Sequence, residues 1–136
     1  MDKEKSSLVR LVTGDERRAI NALEENANVA GRLPLDIHEI VGDGMAAEIF
    51  RAINPNLHRL ALTIEDIVDF CERHPVWLRQ VGREKLFLTE RNGNLLLVVV
   101  SAHIDSLEIC IRPMSYEEEF LALYRHCVIT LTPAQL

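Results

Sequence analysis

REKLFLTERNGNLLLVVVSAHIDSLEICIRP, residues 83–113, is the stretch whose reading decides the fold. Two apolar runs, residues 86–89 and 95–100, flank Asn92-Gly93, and residues 107–111 follow a short polar break. A type I′ turn holds two successive residues at positive φ, which Asn and Gly tolerate best, so Asn-Gly between apolar runs predicts a tight hairpin. Residues 95–100 are apolar at every position, the pattern of a central strand covered on both faces. Leu107, Ile109 and Ile111 alternate with Glu108, Cys110 and Arg112, the pattern of a third strand with one face nearer solvent. Together they predict an antiparallel meander.

Outward from the meander, the N-terminal half reads as helical. Residues 8–12 form a short helix or an apolar lead-in ended by Thr13-Gly14. Asp15 and Glu16 suit the start of a helix carrying Ala19, Ile20, Leu23 and Ala27 at helical spacing, with Gly31 as its C-terminal cap. Residues 33–41 fit both periods, and Pro34 as a first-turn residue favours a short helix there. After Gly42-Asp43-Gly44, residues 45–53 resume as a helix until Asn54-Pro55-Asn56. Thr63, with Asp66 three residues on, opens another helix, which Pro75 ends. Residues 76–81 fit a helical turn or an extra strand equally. Beyond the meander, Ser115 and Glu118 form a capping box for a helix reaching about His126, and residues 128–131 return as a last strand. The expected fold is therefore α+β, one domain over residues 1–136. A helical N-terminal half packs on a C-terminal antiparallel β-meander of three to four strands with a further helix.

Bulk properties narrow the function classes. At 136 residues and 48% hydrophobic, the chain has enough apolar material for one core. The run at 95–100 is far below the roughly 20 apolar residues that span a bilayer, and the N-terminus lacks a signal-peptide core, so no membrane role and a cytoplasmic location are expected. Cys71, Cys110 and Cys127, an odd and irregular set, read as reduced thiols. A net charge of −6, mostly carried by residues 1–74, argues against nucleic acid, because phosphate neutralisation supplies most of the affinity for a duplex.

Few residue clusters carry chemistry. Asp36, His38 and Glu39 form the densest acid/base group, a weak catalytic candidate. Cys71, His74, His126 and Cys127 would supply a tetrahedral zinc site, but their spacing is not that of a zinc knuckle. Cys110 with His103 or His126 is a formal nucleophile–base pair without a glycine elbow or helix N-terminus to activate the thiol. Gly42-Asp43-Gly44 has neither P-loop nor dinucleotide spacing. Glu65, Asp69 and Glu72 offer an acidic helix face to a protein partner. Trp77 and Arg79 are residue types enriched at binding hot spots, and Arg91 tips the hairpin.

The reading that follows is a small protein-binding, regulatory or accessory module without catalytic activity or cofactor. It contacts a protein partner and has the option of homodimerisation through an exposed strand edge. One alternative is a winged-helix-like nucleic-acid binder with Arg91 at the wing tip; another is a small enzyme using the Asp36, His38 and Glu39 cluster.

Overall fold

A computed structural model describes residues 8–22, 34–79, 84–103, 105–114 and 119–131. In chain order these form β1 (Val9–Leu11), α1 (Gly14–Ala22), β2 (Leu35–Ile40), β3 (Gly44–Met45), α2 (Ala46–Arg51), a 3₁₀ turn at Leu57–Leu60, α3 (Ile64–Arg73) and α4 (Pro75–Leu78). They continue as β4 (Lys85–Arg91), β5 (Asn94–Ala102), β6 (Leu107–Pro113), β7 (Glu119–Phe120), a second 3₁₀ turn at Ala122–Tyr124, and β8 (Cys127–Leu131).

The local turn chemistry acts as expected. Asn92 at φ 53° and Gly93 at φ 81° turn β4 into β5, pairing Arg91 with Asn94 and Lys85 with Val100. β6 then pairs with β5 from Leu96↔Pro113 to Ala102↔Leu107. At the head of α3, Thr63 Oγ1 accepts the Asp66 N–H at 3.1 Å, satisfying one of the donors a helix start leaves open.

The expected division into a helical half and a meander is wrong. One six-stranded sheet runs in the order β1-β2-β8-β4-β5-β6, and β3 pairs separately with β7. The N-terminal half thus supplies two strands of the main sheet. Residues 35–40, expected as helix, are strand β2, because β8 pairs with them from Leu35↔Leu131 to Glu39↔Cys127 while β1 pairs on the other side. A sequence with both periods adopts the one whose backbone partners exist, and here those partners are strands. The helix expected from Ser115 is also absent where the chain is described: Glu119–Phe120 is a strand, and Arg125 at φ 53° is left-handed. Residues 76–78 belong to helical turn α4, whereas the continuations of α1 to Gly31 and of α4 to Val81, and the start at Ser115, lie outside the described residues.

Alternation along the strands builds two cores, one on each sheet face. Phe87, Val98, Val100, Cys127 and Ile129 join Ile20 of α1, Ile67 and Phe70 of α3, and Trp77 and Leu78 of α4. Leu86, Leu88, Leu97, Val99 and Val128 join Ile49 and Phe50 of α2, Leu60 and Phe120. Both faces being covered explains why residues 95–100 are apolar throughout. The result is a mixed α+β architecture in which β8 runs parallel to β4 and antiparallel to β2. Among the described residues no helix is long and apolar enough to cross a membrane.

One ion cluster ties the β1 end together. Glu39, with its side chain 3% exposed, accepts from Arg10 Nη2 at 2.7 Å and Arg125 Nε at 2.8 Å, so β1, β2 and the entry to β8 converge on one carboxylate. Burial pushes that carboxyl up, but hydrogen bonds from Arg10 and Arg125 outweigh it and hold it below its ordinary 4.5. Because the folded value lies below the unfolded one, this contribution is complete above about pH 4.5 and is lost as acid protonates the folded carboxylate. Glu39→Gln is expected to destabilise the fold by about 1–3 kcal/mol at neutral pH, and urea unfolding across the acid range should show a smaller acid loss than in the parent.

Candidate functional site

β6 is the outer strand of the sheet, and among the described residues nothing pairs with its far side. Its apolar positions are not all inward. Ile109 and Ile111 are each 48% exposed on the face shared with Val98 and Val100, whereas on β5 those neighbours are buried. Among the described residues, the α1, α3 and α4 layer leaves these two isoleucines half-exposed. The opposite edge is different: β1 has only three residues and carries the Glu39 ion cluster. Short, charged edges resist further pairing, while a seven-residue strand with exposed isoleucines presents unpaired backbone groups beside apolar surface.

A cleft of about 400 Å³ opens beside this edge, lined by Glu84, Ser101, Ala102, His103, Glu108, Tyr124 and His126. Its floor follows from strand register. β8, β4, β5 and β6 place His126, Glu84, Ser101 and Glu108 in one row across the sheet, one step beyond Cys127↔Lys85, Lys85↔Val100 and beside Ser101↔Glu108. The Glu84 N–H donates to His126 Nδ1 at 2.8 Å, so the neutral ring carries its proton on Nε2, which faces Glu84 Oε1 at 3.8 Å. Ser101 Oγ donates to Glu84 Oε2 at 2.9 Å, and His103 Nε2 lies 3.4 Å from Glu108 Oε1. Tyr124 stacks on His126 with ring centroids 5.6 Å apart. Chemically the row is a polar wall in which the Ser101 hydroxyl donates to the Glu84 carboxylate and the Glu84 N–H donates to His126.

The residues singled out from sequence are dispersed. Asp36 and His38 point to one face of β2 and Glu39 to the other, as strand alternation requires, and Glu39 is held by its two arginines. His38 is half-buried, its Nδ1 has no hydrogen-bond partner among the described residues, and burial pushes its pKa down against the opposing pull of Asp36. That suits a neutral packed imidazole. No group of three or more metal-ligating side chains exists among the described residues. Of the four named for zinc, Cys71 and Cys127 are buried in one core cluster, and burial pushes the Cys71 thiol up to about 11, far from the thiolate a metal needs. His74 Nδ1 lies 3.1 Å from the Phe70 carbonyl oxygen, and His126 belongs to the cleft.

Among the partner-binding residues, Trp77 is 3% exposed and packs into the core, with the buried Lys85 Nζ 4.8 Å from its ring centroid. It is therefore no surface anchor. Glu65, Glu72, Arg79 and Arg91 are exposed, and Asp69 accepts from Arg73 Nε at 2.9 Å within α3. A winged helix would pair the helices of residues 45–53 and 63–73, but here α2 contributes to one core and α3 to the other.

Sequence reasoning missed the cleft row. The sequence offers His126 as a metal ligand or base and His103 as a base, but Glu84, Ser101 and Glu108 come together only through three separate strand registers. Comparison with known proteins finds no matching family model and no significant match to a curated protein or a solved structure.

The lowered His38 pKa has a defined sign. The unfolded chain takes up the proton more readily than the folded one below about pH 6.5, so stability falls as pH drops through that region. Urea midpoints measured between pH 7.5 and 5 are expected to decline in the parent and to decline less in His38→Leu.

Proposed function

We propose that this protein is a non-catalytic binding module that accepts a polypeptide strand along β6. The observation that carries the reading is the seven-residue outer strand with Ile109 and Ile111 half exposed. Strand addition satisfies the edge backbone groups and at the same time covers the two isoleucines, giving affinity from hydrogen bonds and specificity from alternate side chains. Burial of a large aliphatic side chain is worth about 1.5–3 kcal/mol, and roughly half of that is still available at each isoleucine.

The absence of charge on this face also fits a polypeptide better than phosphate. Ile109 and Ile111 project on the side away from Glu108 and Arg112, so an incoming strand meets apolar surface on one face and a cation and an anion on the other. The overall charge of −6 further disfavours nucleic acid.

Pull-down of the tagged protein at near-physiological salt, with light scattering of the same preparation, tests the reading. Ile109→Lys places a charge on the edge, a substitution that natural sheets use to block pairing. It is expected to abolish capture of a partner strand or self-association while destabilising the fold by about 1 kcal/mol, the part of the burial that Ile109 already makes within its own chain. Unchanged association in a folded Ile109→Lys variant would sink the proposal.

A further inference from the structure

The sequence of β6 is nearly its own complement when reversed. Leu107-Glu108-Ile109-Cys110-Ile111-Arg112-Pro113 has Cys110 at its centre, an isoleucine on each side of it, and charges of opposite sign beyond. Resting on the strand-addition reading, we propose that the strand accepted at β6 is β6 of a second copy. The two strands run antiparallel with Cys110 opposite Cys110, making one sheet continuous through both copies.

Register follows from geometry. In a pair of identical antiparallel strands related by a two-fold axis, residue numbers facing each other have a constant sum, and facing side chains point to the same side of the sheet. Only registers centred on a residue keep each face continuous. Centred on Cys110, the pairing sets Glu108 against Arg112 twice and Ile109 against Ile111 twice, and it uses the whole strand. Moving the centre to Ile109 or Ile111 sets one of the charges against Cys110. Moving it to Glu108 or Arg112 sets like charge against like, which is destabilising. One register therefore gains from both faces of the strand. Arg112 is already engaged within its own chain, and only its sign matters across the interface.

The same register completes the cleft. The row His126, Glu84, Ser101, Glu108 ends at the sheet edge, and Arg112 of the second copy takes the next place in it. A wall that carries two carboxylates in one chain then gains a guanidinium from the other. By symmetry the dimer has two such clefts, each made by both copies.

The full chain should show a mass by light scattering that rises with concentration from one chain to two. Glu108→Arg alone and Arg112→Glu alone each oppose like charges at two places and are expected to weaken dimerisation by about tenfold or more. The double variant E108R/R112E restores opposite pairing and should recover most of the loss. Circular dichroism and melting of each variant check that the chain is folded. Independently of any variant, treatment of the parent with diamide, which takes two electrons and two protons from a thiol pair, should link Cys110 to Cys110. Directly opposed residues have Cα atoms roughly 4.5–5.5 Å apart, within disulfide reach, whereas Cys71 and Cys127 are buried.

A monomer at every accessible concentration overturns the second-copy assignment. If that monomer captures another protein in an Ile109-dependent way, strand addition at β6 stands and only the identity of the strand is wrong; if it captures nothing, both fall. A dimer that the double variant fails to recover, or whose diamide product lacks the Cys110–Cys110 linkage, overturns the register.

Discussion

Strand β8 is the constraint on which the rest of the structure depends. It lies between β2 and β4, antiparallel to one and parallel to the other, and Cys127 to Thr130 are all buried. Its backbone pairs with β2 along the strand and with β4 at Cys127 and Val128. Without it the six-stranded sheet separates into the β1–β2 pair and the β4–β5–β6 meander, and each would expose edges that the intact molecule covers. Its side chains matter as much, since Ile129 enters one core and Val128 the other. The Glu39 carboxylate adds a charged fastening at the same junction, drawing Arg10 from β1 and Arg125 from the segment just before β8.

How much of this was legible depends on the range of the determining interaction. The β4–β5 hairpin is written locally, in two residues that adopt positive φ and two flanking apolar runs. The start of α3 is also local, since Thr63 caps Asp66. β2 is not local: Leu35, Ile37 and Ile40 satisfy a helical spacing nearly as well as an alternating one, and only the distant β8 decides between them. The segment after Ser115 was misread for the same reason, because Phe120 pairs as a strand with Gly44 far upstream. A capping box and an apolar period describe what a segment does alone, and here tertiary pairing overrides both.

Legibility of the site divides along the same line. The outer edge of a meander is visible from the number and order of its strands, and β6 occupies that position. The exposure of Ile109 and Ile111 is not visible, because alternation shows that two faces differ without showing where the covering helices end. Trp77 illustrates the converse. Its residue type and its neighbour Arg79 suggested a contact surface, yet the core beneath α4 has room for the ring over Lys85. The Asp36, His38 and Glu39 cluster is divided once the segment is extended, because alternation along a strand leaves Asp36 and His38 on one face and turns Glu39 to the other.

The late position of β8 in the chain also orders the events of folding. The meander closes short loops and forms by neighbouring contacts, whereas β2 waits for a partner that follows nearly the whole of the remaining described chain. Non-local pairing of this kind slows the search for the native state. In the interval, β2 and β4 each present a side that β8 later covers, beside the outer strands β1 and β6, so the partly folded sheet carries four open edges where the finished one carries two. During synthesis the emerging N-terminal segments therefore pass through a stage with more pairing surface than the mature protein, and aggregation competes hardest just before the last strand inserts.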